Sequence, residues 1–339
     1  MSGGVDSSVA AALLVAQGYQ VSGAFMKNWS DCQWQKDRRD ATRVAAKLNI
    51  PFTTFDFERA YRDRVVEYLF REYAGNRTPN PDVMCNKEIK FKLFLEKALS
   101  LGFDYIATGH YARVKEVNGV FELWQSVDKN KDQSYFLNAL GQTELKHALF
   151  PIGDYHKTEV REMARRYQLP TADKPDSQGI CFIGEINLKE FLKSRLPVKA
   201  GAVVTTEGDK IGEHEGVWFY TIGQRHGFAN PGGGVPYYVV EKQDKTNTLV
   251  VSHGETKALY RHSLLFNEPR WVGGYAPALP WRGQAKIRYR QPSQAVTIRA
   301  STEAGQLEAV FDHPQRAVTP GQFIVLYLGE QLVGGGVIV

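Results

Sequence analysis

The chain has 339 residues, enough for two or three domains with sizeable cores, and sets 42 Lys and Arg against 37 Asp and Glu for a formal charge of +5. So small a basic excess permits an acidic partner without identifying one. Three widely separated cysteines, Cys32, Cys85 and Cys181, with no CxxC or Cys/His pairing, speak against a secreted disulfide framework or a zinc site. No apolar run reaches the roughly 20 residues that span a bilayer, and no secretory leader opens the sequence, so a reducing, cytoplasmic setting is expected.

The first stretch, Met1-Ser2-Gly3-Gly4-Val5-Asp6-Ser7-Ser8, runs straight into apolar residues from Val9 to Ala16 and ends at Gly18. It reads as a loop feeding a helix. Two glycines let the backbone approach a ligand closely, and Ser7 and Ser8 stand where the unbonded N–H groups of a helix start need partners. Such a loop suits phosphate. Its order is not the GxxxxGK[ST] of the common nucleotide loop; SGGxDS resembles the pyrophosphate loop of ATP pyrophosphatases, which split ATP between the α and β phosphates.

Further along, Tyr19 to Met26 reads as a strand, Ala41, Val44, Ala45 and Leu48 fall on one helix face, and Phe52 to Phe55 is a short strand. Tyr61, Val65, Leu69 and Tyr73 form another helical stripe. A helix from near Asn86 turns Phe91, Phe94, Leu95, Ala98 and Leu99 inward, and Tyr105 to Thr108 reads as a buried strand. This alternation predicts an α/β fold, a doubly wound parallel sheet with ligands at the carboxyl ends of its strands. The loop at residues 2–8, the segment after Met26 and the Gly109-His110 turn should converge there.

Past residue 196 short β runs replace helical periodicity, among them Gly216 to Ile222, Tyr237 to Glu241 and Thr248 to Ser252. From about 263 onward Ala285 to Arg290, Val296 to Ala300, Leu307 to Phe311 and Phe323 to Leu328 suggest a small antiparallel barrel. The expected organisation is a catalytic domain at 1–195, a small β-rich domain at 196–262 and a C-terminal β-barrel at 263–339.

Three stretches carry chemistry. Arg282, Lys286, Arg288 and Arg290 share one parity, so a continuous strand would line them up as a cationic stripe for backbone phosphates, with Tyr289 as a stacking group; a solvated strand face is the alternative. Thr78-Pro79-Asn80-Pro81-Asp82-Val83-Met84-Cys85-Asn86-Lys87 places an acid and a thiol three residues apart just before a helix, whose positive end favours a thiolate that Asp82 opposes. Asp176-Ser177-Gln178-Gly179-Ile180-Cys181 sets a second thiol in a glycine-flanked turn. A buried structural cysteine is the commoner fate of either thiol alone.

SGGVDSS, FMKNW at 25–29, TPNPDVMCNKEIKF at 78–91, ATGHYAR at 107–113, NKDQSYFL at 130–137, GICFIG at 179–184 and TIGQRHGF at 221–228 follow one another in order. Together they resemble the tRNA-specific 2-thiouridylases, the MnmA family, over nearly the whole chain. The resemblance implies an ATP-dependent enzyme that replaces the C2 oxygen of the wobble uridine with sulfur in the tRNAs for Lys, Glu and Gln. It implies ATP binding by Met1, Ser2, Gly3, Gly4, Val5, Asp6, Ser7, Met26 and Gly109, with Mg2+ accompanying the nucleotide. Asn80, Pro81 and Asp82 would contact the target base, Asp82 acting as general acid/base. Cys181 would receive persulfide sulfur from a donor protein, and Cys85 would be the catalytic nucleophile, forming a transient disulfide with Cys181. His110, Lys131, Asp132, Gln133, Arg288, Tyr289 and Gln322 would touch tRNA. A monomer is expected.

Three departures qualify the resemblance. The family carries a hydrophobic strand before SGGxDS, which the start at Met1 leaves no room for, so a native N-terminus upstream of Met1 is expected. The segment between Trp29 and Cys32 is shorter than the family's, and Gln178 replaces a usual threonine. Another pyrophosphate-loop enzyme would share residues 2–8 but not the later motifs. A catalytically impaired tRNA-binding relative is the remaining alternative, favoured by the missing first strand; its sign would be loss of Asp6, Asp82, Cys85 or Cys181, and all four are present.

Overall fold

The alanine-rich run after the glycine loop forms the helix Val5–Ala16, whose residues Ser8 to Leu14 are all buried, as suits small side chains under close-packed neighbours. The computed structural model describes residues 1–30, 34–176, 188–228 and 234–339; Cys32 and Cys181 lie outside them. Parallel strands Gly23–Lys27 and Phe52–Asp56 pair with each other, as do Ile106–Ala107 and Ala148–Leu149. The opening loop runs between the two pairs. The Met1 amine donates to the Ala24 carbonyl, and a Cβ on Gly109 would lie 2.6 Å from the Ser7 nitrogen.

Helix Trp34–Leu48 buries Ala41, Val44 and Ala45, as its periodicity predicts. Two longer helical stretches follow, Glu58 to Ala74 and Pro81 to Ser100, each interrupted by a π turn, at Arg62–Val66 and Asn86–Phe94. Four local expectations need correction. The first strand starts at Gly23, leaving Tyr19 48% exposed. The second long helix starts at Pro81 rather than near Asn86, because the Asn80 side chain accepts the Val83 N–H at 3.2 Å and Pro81 needs no donor at that position. Leu99 faces outward at 38% exposure, since the π turn rotates the helix ahead of it. The strand expected over Tyr105 to Thr108 shrinks to Ile106–Ala107, with Tyr105 exposed beside the His147 ring.

The central region forms a four-stranded sheet in the order Lys210–His214, Gly201–Thr205, Thr248–His253, Tyr237–Gln243. Gly216 to Ile222 is not a strand: Gly216 has φ +139° and Val217–Phe219 is a 3₁₀ turn. The C-terminal strands Tyr260–Trp271, Gln306–Arg316, Gln294–Ala300, Trp281–Lys286, Phe323–Leu328 and Gln331–Ile338 close into an antiparallel barrel, the last pairing with the first. Closure removes every free edge among these six.

A hairpin from the first half of the chain, Ala112–Val117 and Val120–Gln125, extends this barrel. Trp124 and Leu123 pair with Gln331 and Leu332. Leu123, Tyr135 and Leu137 then share one core with Phe323, Val325, Tyr327 and Leu332, so the α/β region and the barrel are packed as one body along this seam.

Candidate active site

The glycine loop leads into a helix start that no side chain covers. Gly3 takes φ +74°, and a Cβ there would run into the Asp37 carbonyl at 2.3 Å, so only glycine fits. Gly4 stands at the N-cap of Val5–Ala16 and no side chain caps that end. Ser7 and Ser8 do not act as caps: both hydroxyls donate back to the Gly4 carbonyl, at 3.2 and 2.7 Å. The Ser2 N–H donates to Ser7 Oγ at 3.1 Å, which folds the loop over the helix end. The first N–H groups of a 12-residue helix therefore face outward with the positive end of its dipole.

Asp6 looks sideways from this loop. Its Oδ1 accepts from the Tyr111 hydroxyl at 2.8 Å, and both its oxygens accept from Lys157 Nζ at 2.7 and 2.9 Å. Lys157 Nζ also pairs with Asp176 at 2.8 Å, and Asp176 gathers Arg161 at 2.8 Å and Lys131 at 2.9 Å. Burial alone would raise the Asp176 pKa, but the hydrogen bonds from Lys157 and Lys131 outweigh it and hold the carboxyl at about 2. Nothing local in the sequence announces Lys157, because its partner Asp6 is 151 positions away.

Gly109 packs on the backbone of Asp6 and Ser7, which brings His110 next to the loop. His110 is buried; Thr108 Oγ1 lies 2.7 Å from Nδ1 and Lys90 Nζ 3.5 Å from Nε2. Burial, reinforced by the Lys90 charge, pushes its pKa well down and keeps the ring neutral. Since the ammonium only donates, Nε2 accepts and Nδ1 carries the proton, a tautomer assigned from the network. Lys90 belongs to the helical stretch that begins at Pro81 and carries Asp82, so loop, Gly109-His110 turn and Asp82 helix meet at one place. Met26 lies in the strand Gly23–Lys27, opposite Phe55.

Asn80, Pro81, Asp82 and Cys85 come from a single helix start. Burial raises the Asp82 pKa above the ordinary carboxylate range, with Lys90 opposing. Cys85 sits in the second turn, not ahead of the helix, and is 2% exposed against Tyr61, Val65, Leu69 and Ile89. The helix-terminus argument for its thiolate therefore loses its geometry: the first turn lies N-terminal to the sulfur.

The loop ahead of this helix is where the three regions meet. The Thr78 N–H donates to the Pro320 carbonyl at 2.8 Å, its hydroxyl lies 3.2 Å from that of Thr221, and Gln322 Nε2 donates to the Thr78 and Pro79 carbonyls at 2.9 and 3.0 Å. Gln322, expected on the tRNA face, thus spends its donors on the loop that carries Asp82. Asp132 is likewise internal, accepting from the Ser126 and Ser134 backbones and facing Lys286 Nζ at 3.4 Å. Gln133 accepts from the Tyr111 N–H at 3.0 Å.

No continuous cationic stripe forms. The strand ends at Lys286, and the four cations go separate ways: Arg282 pairs with Asp312, Lys286 with Asp132, Arg288 donates to the Ile222 and Ala317 carbonyls and Thr319, and Arg290 is exposed. Tyr289 packs on Phe136, ring centroids 4.4 Å apart, instead of standing open to stack. Strand parity could not foresee this, because it holds only while the strand continues.

Residues 1–185 match the family described as the tRNA methyl transferase HUP domain, residues 189–253 its PRC-barrel domain and residues 261–338 the aminomethyltransferase beta-barrel domain. Among solved structures, NMN synthetase from Francisella tularensis aligns over 52% of this chain and 63% of its own at 18% identity and a TM-score of 0.34, a similarity too slight to bear on the fold. The tRNA-specific 2-thiouridylase MnmA 2 of Geobacillus kaustophilus is 52% identical over all of this chain and 93% of its own length. The corresponding proteins of Geobacillus thermodenitrificans and Listeria monocytogenes are 51% and 50% identical over the same shares. With half of all positions identical from end to end, the chain belongs to the tRNA-specific 2-thiouridylase family.

Proposed function

We propose that the chain is an ATP-dependent tRNA-uridine 2-sulfurtransferase acting on the wobble uridine of the tRNAs for Lys, Glu and Gln. The observation that carries this reading is the Asn80–Cys85 turn: one capped helix start presents a carboxyl of raised pKa and a thiol, beside a glycine loop at an uncapped helix end.

The uridine C2 oxygen is a poor leaving group, so it first attacks the α-phosphorus of ATP, and pyrophosphate departs into the loop. Met1, Ser2, Gly3, Gly4, Val5, Asp6 and Ser7 hold the phosphates, with Met26 and Gly109 completing the nucleotide site. Magnesium arriving with the nucleotide supplies neutralisation of phosphate charge. Among the described residues no group of three or more His, Cys, Asp and Glu could hold a metal ion.

Asn80, Pro81 and Asp82 bind the extruded base, and the raised pKa of Asp82 suits it to hold and return a proton. The terminal sulfur of a persulfide on Cys181 attacks C2, and AMP leaves with the former carbonyl oxygen. Cys85 attacks the inner sulfur, releasing thiouridine and forming a Cys85–Cys181 disulfide that an external thiol reduces. A desulfurase or relay protein supplies the persulfide.

Lys131, Gln133, Arg288 and Tyr289 keep partly exposed surface for tRNA, while Gln322 holds the Thr78–Pro79 loop and the buried His110 and Asp132 act by holding their neighbours. The domains divide at 1–195, 196–262 and 263–339, and the protein works as a cytoplasmic monomer. Among the described residues no helix is long and apolar enough to cross a membrane. A catalytically impaired tRNA-binding relative is not favoured, since Asp6, Asp82, Cys85 and Cys181 are all present. Cys85→Ala and Cys181→Ala should each abolish 2-thiouridine formation from ATP, a persulfide source and unmodified tRNA, while sparing ATP and tRNA binding. Full activity in either variant sinks the relay.

A further inference from the structure

We infer that Lys157, Arg161 and Lys131 form the outer half of the polyphosphate site, and that Asp176 occupies it as an internal anion which the departing-group phosphates of ATP displace. The inference rests on the ATP reading above and adds three residues and a competition to it.

Lys157 touches the glycine loop directly, its ammonium 2.7 Å from Asp6 and 2.8 Å from Asp176. It opens the ten-residue helix Lys157–Arg166, and its own N–H donates to Asp128 at 3.0 Å, so its backbone is fixed. Asp176 brings three cations to one carboxylate: Lys157 and Arg161 on Oδ1, Lys131 on Oδ2. Two carboxylates among three cations leave one positive charge, beside a helix start that no side chain caps.

One carboxylate underuses such a cluster. Three cations match the several oxygens of a diphosphate far better than the two of an aspartate. The cluster is also reachable, because the side chains of Asp176, Asp6 and Lys131 are 32%, 31% and 42% exposed. Arg161 additionally donates to the Ala172 and Lys174 carbonyls at 3.1 Å, so its guanidinium keeps two partners when the carboxylate moves.

The competition fixes the sign of the test. Titration calorimetry with inorganic pyrophosphate should give roughly tenfold tighter binding to Asp176→Asn than to the parent, because a neutral amide yields the cations more readily. Asp176→Glu, which keeps the internal anion, should bind as the parent does. Lys157→Gln should weaken binding roughly ten- to a hundredfold, with the far-ultraviolet dichroism of the parent as the check on folding. Equal or weaker pyrophosphate binding by Asp176→Asn overturns the competition. A parent protein that binds neither pyrophosphate nor ATP overturns the ATP reading itself, which separates the two failures.

Discussion

Gln322→Ala separates two accounts of one residue. The family resemblance puts Gln322 against tRNA, whereas the structure has its amide donating to the buried Thr78 and Pro79 carbonyls across the seam between barrel and catalytic loop. Truncation leaves both acceptors without a donor, at about 1–3 kcal/mol each, the low end applying where water fills the vacated space. About 2–4 kcal/mol for the pair is a reasonable sum. The regions share a hydrophobic core and should melt together. With ~2.1 cal/mol/K per residue, the 339-residue chain has an unfolding entropy of ~0.7 kcal/mol/K, so Tm should fall by ~3–6 °C. Thermal unfolding of the tRNA-free protein reads this directly. Thiolation should fall with it, since the loop positions Asp82, while ATP affinity holds. An unchanged Tm together with weakened tRNA binding would refute the clamp and restore Gln322 to the tRNA face.

Two further outcomes follow from the site. Gly109→Ala should weaken ATP binding on the order of a hundredfold, because its methyl would lie 2.6 Å from the Ser7 nitrogen and push the phosphate loop aside; unaltered ATP affinity by calorimetry would show that the loop does not depend on this contact. Asp82→Asn should inactivate the enzyme yet raise its Tm at neutral pH. Burial raises the Asp82 pKa, so ionisation costs stability as the pH climbs through the folded value, and the advantage of asparagine should vanish near pH 3.8, the ordinary value. A Tm below that of the parent at pH 7 would contradict this.

Much of the site was legible in the chain order because its motifs are local. A glycine loop and the helix after it are contiguous, and Asn80, Pro81, Asp82 and Cys85 sit within one turn and a half of each other. Periodicity likewise found Ala41, Val44 and Ala45 on a buried face. It failed at Leu99, where a π turn shifts the helical phase, and at Arg288 and Arg290, where the strand stops at Lys286. Each is a place where a repeat counted along the chain is reset by the backbone.

The sequence by itself determined the glycine loop, the acid and thiol pair, the parallel α/β character and the barrel strands, since each follows from nearby residues and a fixed repeat. Only the tertiary structure decided that Lys157 bridges Asp6 and Asp176, that the hairpin of residues 112–125 belongs to the barrel sheet, and that Gln322 fastens the loop at Thr78 and Pro79. Apart from the Lys157–Asp176 pair, these contacts join residues more than a hundred positions apart. Hydrogen bonds and ion pairs at that range carry no periodic signal, and become visible only when packing sets the partners within 3 Å.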